Sequence, residues 1–234
     1  MEEKKFVDFK KEELRVKEYI KKELGKGRIS TVSIEYTPVG EKIVIATSKP
    51  GLVIGKRGEK IEELTNVLKK RFKLDNPHID IKEIKEPKLD AQLVADEIAL
   101  ALERQGPTRF KTIAYKYIQE IMKTGALGVE ILLSGKLPSE RAKSWRFSQG
   151  YLKKTGNSAK VVNRAQSQAV TIPGVVGIQV SILAPDAPIH DKIVIDDNLK
   201  NRLLQPQTPQ EVSTQSKEEK KPKKKGVKKA NGNT

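Results

Sequence analysis

Leu52-Val53-Ile54-Gly55-Lys56-Arg57-Gly58-Glu59-Lys60-Ile61 is the stretch whose reading decides the fold. An aliphatic run enters two glycines that enclose two cations, and a helix-like sequence starts directly behind them. Glycine lets a backbone adopt left-handed conformations and approach a ligand closely. From Glu59 onward Ile61, Leu64, Leu68 and Phe72 recur at three- and four-residue intervals. That period predicts an amphipathic helix with these four residues inward. Its first turn offers unpaired N–H groups and a positive dipole end to an anion. The run Gly51 to Arg57 superficially resembles a nucleotide-binding P-loop. However, three residues rather than four separate Gly51 from Gly55, and Arg57 stands where a magnesium-binding hydroxyl belongs. Nucleotide hydrolysis is therefore disfavoured.

Working outward, residues 9–24 read as a helix with Val16, Ile20 and Leu24 on one face, stopped by Gly25-Lys26-Gly27. Val32, Ile34 and Tyr36 alternate, as do Ile43 and Ile45, and Pro38-Val39-Gly40 between them predicts a hairpin. Leu52 to Ile54 form a short helical turn after Pro50-Gly51. Beyond the 59–72 helix, Asn76-Pro77 is a break, and Ile79 and Ile81 begin a strand ending near Ile84. The order is helix, strand, strand, helical turn, helix, strand. It resembles a KH domain of the second type, whose GxxG loop between two helices clamps about four nucleotides of single-stranded nucleic acid. The expected RNA-binding residues are Ile54, Gly55, Lys56, Arg57 and Gly58. The glycines admit phosphates, the cations neutralise them, and Ile54 with its aliphatic neighbours lies beneath the bases.

Glu86-Pro87-Lys88 reads as a boundary. Asp90 is expected to cap a helix running to about Arg104, and Thr108 a second running to about Lys123, with Gly125 as its stop. The rest is strand-like. Val129, Ile131 and Leu133 alternate, and Trp145, Phe147 and Gln149 keep the same period. Residues 160–171 form a long run with Val162, Arg164, Gln166 and Gln168 against Val161, Ala165 and Ala169. Pro173-Gly174 turns the chain into Val176, Ile178, Val180 and Ile182. The expected fold class is α+β. It comprises a type II KH domain at 1–86, a two-helix, four-stranded, largely antiparallel domain at 87–186, and an extended, mostly disordered Lys-rich tail at 187–234.

The 234 residues carry a formal net charge of +16. Lys217 to Lys229 hold eight Lys and two Glu, a net +6, which leaves +10 to the rest of the chain. Such an excess points to a polyanion. No apolar segment of ~18 residues is present to span a bilayer, so nucleic acid is favoured over membrane. The absence of Cys excludes disulfides and cysteine zinc sites. Met1-Glu2-Glu3-Lys4-Lys5 lacks the apolar core of a signal peptide, and a cytoplasmic location is expected.

Val53-Ile54-Gly55-Lys56-Arg57-Gly58, then Ser134-Gly135-Lys136-Leu137 and Arg141-Ala142-Lys143, resemble the third-protein (S-three) family of the small ribosomal subunit, in its archaeal and eukaryotic branch. Gly125-Ala126-Leu127-Gly128 and Gly174-Val175-Val176-Gly177-Ile178 extend the resemblance over about residues 5–185. It implies a structural constituent of the subunit head with small-subunit ribosomal RNA, messenger RNA and neighbouring ribosomal proteins as partners. Cofactor, metal, membrane and small-molecule substrate are not expected. It also implies that the second domain lines the messenger RNA entry channel. By position Lys136, Arg141 and Lys143 match the basic residues there, and Lys111 matches another on the preceding helix. Pro138 and Thr112 depart from the pattern, standing where relatives carry further basic residues.

Other readings are weaker. A free-standing KH regulator would not need the second basic domain. A nuclease would need a carboxylate cluster, a histidine pair or a metal motif, and the sequence has none, so no catalytic residue is expected. His78 and His190 read as loop histidines, Trp145 and Phe147 as core, and Arg164, Gln166 and Gln168 as a polar outer face. The lysine tail reads as a nonspecific RNA contact or a solubiliser.

Overall fold

A computed structural model describes residues 2–38, 40–72, 74 and 76–189. The expectations for His190 and the lysine-rich tail concern residues outside these. Helix α1, Glu2–Leu24, leads into strands β1, Ile29–Thr37, and β2, Gly40–Thr47. The short helix α2, Pro50–Ile54, is followed by a 3-10 turn, Lys56–Gly58, then helix α3, Glu59–Phe72, and strand β3, His78–Glu83. The sheet order is β1-β2-β3, antiparallel between the first two and parallel between the last. Register sets Ile34 opposite Ile43 opposite Ile79, and Val32 opposite Ile45 opposite Ile81. This apolar stripe packs on Val16, Ile20 and Leu24 of α1 and on Leu64 and Leu68 of α3.

The second half begins with a 3-10 turn, Pro87–Leu89, and helix α4, Ala91–Gln105. Asp90 caps α4 as expected, accepting from the N–H groups of Gln92 at 2.9 Å and Leu93 at 3.4 Å. Helix α5, Phe110–Lys123, precedes strands β4, Gly128–Lys136, β5, Ala142–Gly150, β6, Asn163–Thr171, and β7, Gly174–Leu183. All neighbours in the order β5-β4-β7-β6 are antiparallel. Val129, Ile131 and Leu133 of β4 join Val176, Ile178, Val180 and Ile182 of β7 in a core covered by α4 and α5. Contacts tie the two halves together. The Gly27 N–H donates to the Asp96 carboxylate at 3.0 Å, Lys26 Nζ donates to the Gln168 carbonyl at 2.8 Å, and the Ser30 hydroxyl donates to Asp90.

Several expectations need correction. Helix α1 starts at Glu2 rather than residue 9, with Glu2 and Glu3 in a first turn whose dipole favours acidic residues, and Phe9 lies 4.8 Å from Tyr36 between ring centroids. Ile61 stays only half-buried, so the inward face of α3 rests mainly on Leu64 and Leu68. Thr108 caps nothing. The 3-10 turn Pro107–Arg109 delays α5 to Phe110, and its N-cap, Arg109, makes no side-chain cap hydrogen bond. Residues 157–161 form a 3-10 turn rather than strand, which puts Val162 on the buried side instead of with Arg164. His78 opens β3 opposite Lys42 rather than lying in a loop.

Candidate nucleic-acid interfaces

The aliphatic run before the GxxG loop divides by helical geometry. Val53 is fully buried and anchors α2, whereas Leu52 at 43% and Ile54 at 38% exposure face outward. Ile54, but not Val53, is therefore free to meet a base. Gly55 has φ 78° and ψ −175°, a region that only glycine enters readily, and a Cβ there would lie 2.8 Å from Lys60 Cγ. Gly58 has φ 85° with open space around it, so its requirement is conformational. Lys56 and Arg57 are both exposed. Arg57 sits at φ 54° and ψ 21°, the one non-glycine residue with positive φ among the described residues. Nothing in the GxxG pattern says which of the two enclosed residues takes the left-handed turn. The two cations stand in the 3-10 turn that runs directly into α3, beside the positive end of the helix dipole.

The second set of expected residues comes from three segments that the fold brings to one end of the sheet. Lys136 ends β4 opposite Ala142, Lys143 lies opposite Gly135, and Arg141 lies in the connecting turn. All three are exposed. Strand alternation places Lys143 on the side of Trp145 and Phe147, toward the helices, and Lys136 on the opposite side. The cations therefore straddle the sheet end rather than forming a row on one face. Lys111, in the first turn of α5, holds its ammonium 4.8 Å from the centre of the Trp145 ring. The Trp145 indole N–H donates to the Leu137 carbonyl at 3.1 Å, and Leu137 is fully buried. Phe147 is core, as expected, and Trp145 packs against the core from its margin. Phe110 and Lys111 are distant from it in sequence, so alternation alone did not reveal that it joins α5 to the hairpin.

Among the described residues no group of three or more His, Cys, Asp or Glu could hold a metal ion, and no helix is long and apolar enough to cross a membrane. Residues 15–89 match the KH domain family, and residues 98–182 match the family described as ribosomal protein S3, C-terminal domain. Small ribosomal subunit protein uS3 of Methanocaldococcus jannaschii is 42% identical over 199 residues, covering 85% of this chain and 95% of the relative. The uS3 protein of Methanococcus maripaludis is 38% identical over 196 residues, covering 83% and 92%. That of Haloquadratum walsbyi is 38% identical over 199 residues, covering 85% of this chain but 61% of the relative. A type II KH unit joined to the S3-specific sheet, with like-named relatives along most of the chain, fixes the assignment: the chain belongs to the small ribosomal subunit protein uS3 family, whose members are structural components of the ribosome and not enzymes.

Proposed function

We propose that this chain binds small-subunit ribosomal RNA in the head through Ile54, Gly55, Lys56, Arg57 and Gly58, and lines the messenger RNA entry channel with Lys111, Lys136, Arg141 and Lys143. The observation that carries the first part is the loop geometry. Two glycines with positive φ enclose two exposed cations at the start of a 14-residue helix. A phosphate meets the positive end of the helix dipole there, while Lys56 and Arg57 supply neutralising charge. Ile54 offers an apolar surface to the adjacent base. The second part is supported by the convergence of four exposed cations from three segments at one sheet end. Such a cluster holds phosphates whatever the base sequence.

In this reading the chain works as three parts: a KH domain at 1–86, the S3-type domain at 87–186 and a basic tail at 187–234. Its partners are ribosomal RNA, messenger RNA and neighbouring head proteins, and its place is the cytoplasmic ribosome. The test is the variant Lys56→Asp with Arg57→Asp in the full-length chain. Each lost charged hydrogen bond is worth about 1.5–3 kcal/mol, so affinity for single-stranded RNA should fall about tenfold or more. The circular dichroism spectrum should stay that of the parent. Unchanged RNA affinity and unchanged incorporation into subunits would remove the loop from the interface.

A further inference from the structure

We propose that Trp145 is the positioning residue of the Lys111, Lys136, Arg141 and Lys143 cluster, an inference that rests on placing these four in the messenger RNA entry channel. Trp145 is the single tryptophan of the chain. It lies on β5, the edge strand of the sheet. Its indole touches the start of α5 and Leu137 of the hairpin that carries the other three cations. The ring lies 5.3 Å from Phe110, the residue before Lys111, and carries the Lys111 ammonium at 4.8 Å. Its N–H holds the carbonyl of Leu137, the residue after Lys136. Lys143 stands two residues before it on the same side of the strand.

The consequence is mechanical. A lysine side chain on a surface loses rotamer freedom when it binds a phosphate, and that loss weakens the contact. Lys111, resting on the indole, is already restrained, yet its exposed ammonium remains open to a phosphate. The hairpin is pinned at Leu137 twice, by its fully buried side chain and by its carbonyl on the indole N–H. The same ring thus fixes the helix α5 cation relative to the hairpin cations.

The test is a double-mutant cycle in reconstituted translation of a message bearing a stable hairpin. Ribosomes carry the parent chain, Lys111→Ala, Trp145→Phe, or both. Phenylalanine keeps an aromatic ring beside Phe110 but lacks the N–H and attracts a cation less strongly than an indole. Each single variant should lengthen the pause at the hairpin about two- to fivefold, the range an exposed cation–π contact supports. The double variant should pause for less than the product of the two single effects, because part of what Trp145→Phe removes acts through Lys111. Effects that multiply would overturn the positioning role while leaving the channel reading intact. Normal pausing in Lys111→Ala and in Lys136→Ala/Arg141→Ala/Lys143→Ala together would overturn the channel reading, and this proposal with it. A second readout needs no ribosome. In the full-length chain Lys111→Met should shift the emission of the single tryptophan by removing the charge above its ring. Unchanged emission would overturn the contact itself.

Discussion

Arg57 holds a left-handed backbone at φ 54° that costs a non-glycine residue roughly 1–2 kcal/mol. Folding alone does not call for an arginine there, since glycine occupies such positions without that penalty. Strain of this kind concentrates where a side chain is kept for contact rather than for stability. Arg57→Gly should therefore raise the stability of the free chain by ~0.5 kcal/mol, the relieved strain less the added entropy of an unfolded glycine. The same change should weaken RNA binding, because the cation is gone. Urea unfolding and filter binding on one preparation read the two effects; lower stability would contradict the strain assigned to Arg57, and unchanged affinity would contradict its place in the interface. At this scale much of the loop was legible. The left-handed backbone of Gly55 and Gly58 follows from the glycine spacing. Arg57's conformation and the burial of Val53 do not, since each depends on how α2 seats against the sheet.

Elements were legible where a strong period coincided with burial on one face. Val129, Ile131 and Leu133 in β4 and the inward residues of α3 past Ile61 are examples. Ends were less legible. Thr108 has the chemistry of a cap, but Pro107 opens a 3-10 turn that carries the helix start beyond it. The end of the 157–161 turn overlapped the start of the 160–171 run, whose alternation was only partly real. The hairpin joining β4 to β5 carries its own expectation. Lys136, Arg141 and Lys143 are exposed and make no ion pair among the described residues. Replacing all three with Ala should change stability by no more than about 0.5 kcal/mol, as exposed charges usually do. Subunits should still assemble through the KH loop. Ribosomes carrying the triple variant should stall more often at stable message hairpins, and normal progress through them in reconstituted translation would remove these residues from the channel.

For the whole molecule, the charge of +16 sets the salt response. If phosphate contacts dominate, log affinity for single-stranded RNA should fall linearly with log salt, with a slope near −0.7 per phosphate neutralised. Removing residues 216–234 deletes eight Lys and two Glu, so the slope should flatten while binding persists through the folded part. Complete loss of binding on truncation would move the RNA site to the tail. Fold class was legible at this scale because each half shows its own pattern of elements. The joints between the halves were not, because Gly27 with Asp96 and Lys26 with Gln168 are contacts between residues far apart in sequence.

Cross-linking within intact small subunits programmed with message, followed by mapping of the attached nucleotides, addresses the RNA contacts directly. The expected result is attachment of residues 54–58 to ribosomal RNA of the head, and of Lys111, Lys136, Arg141 and Lys143 to message entering the subunit. Cross-links from residues 54–58 to protein alone, with no ribosomal RNA attached, would contradict it.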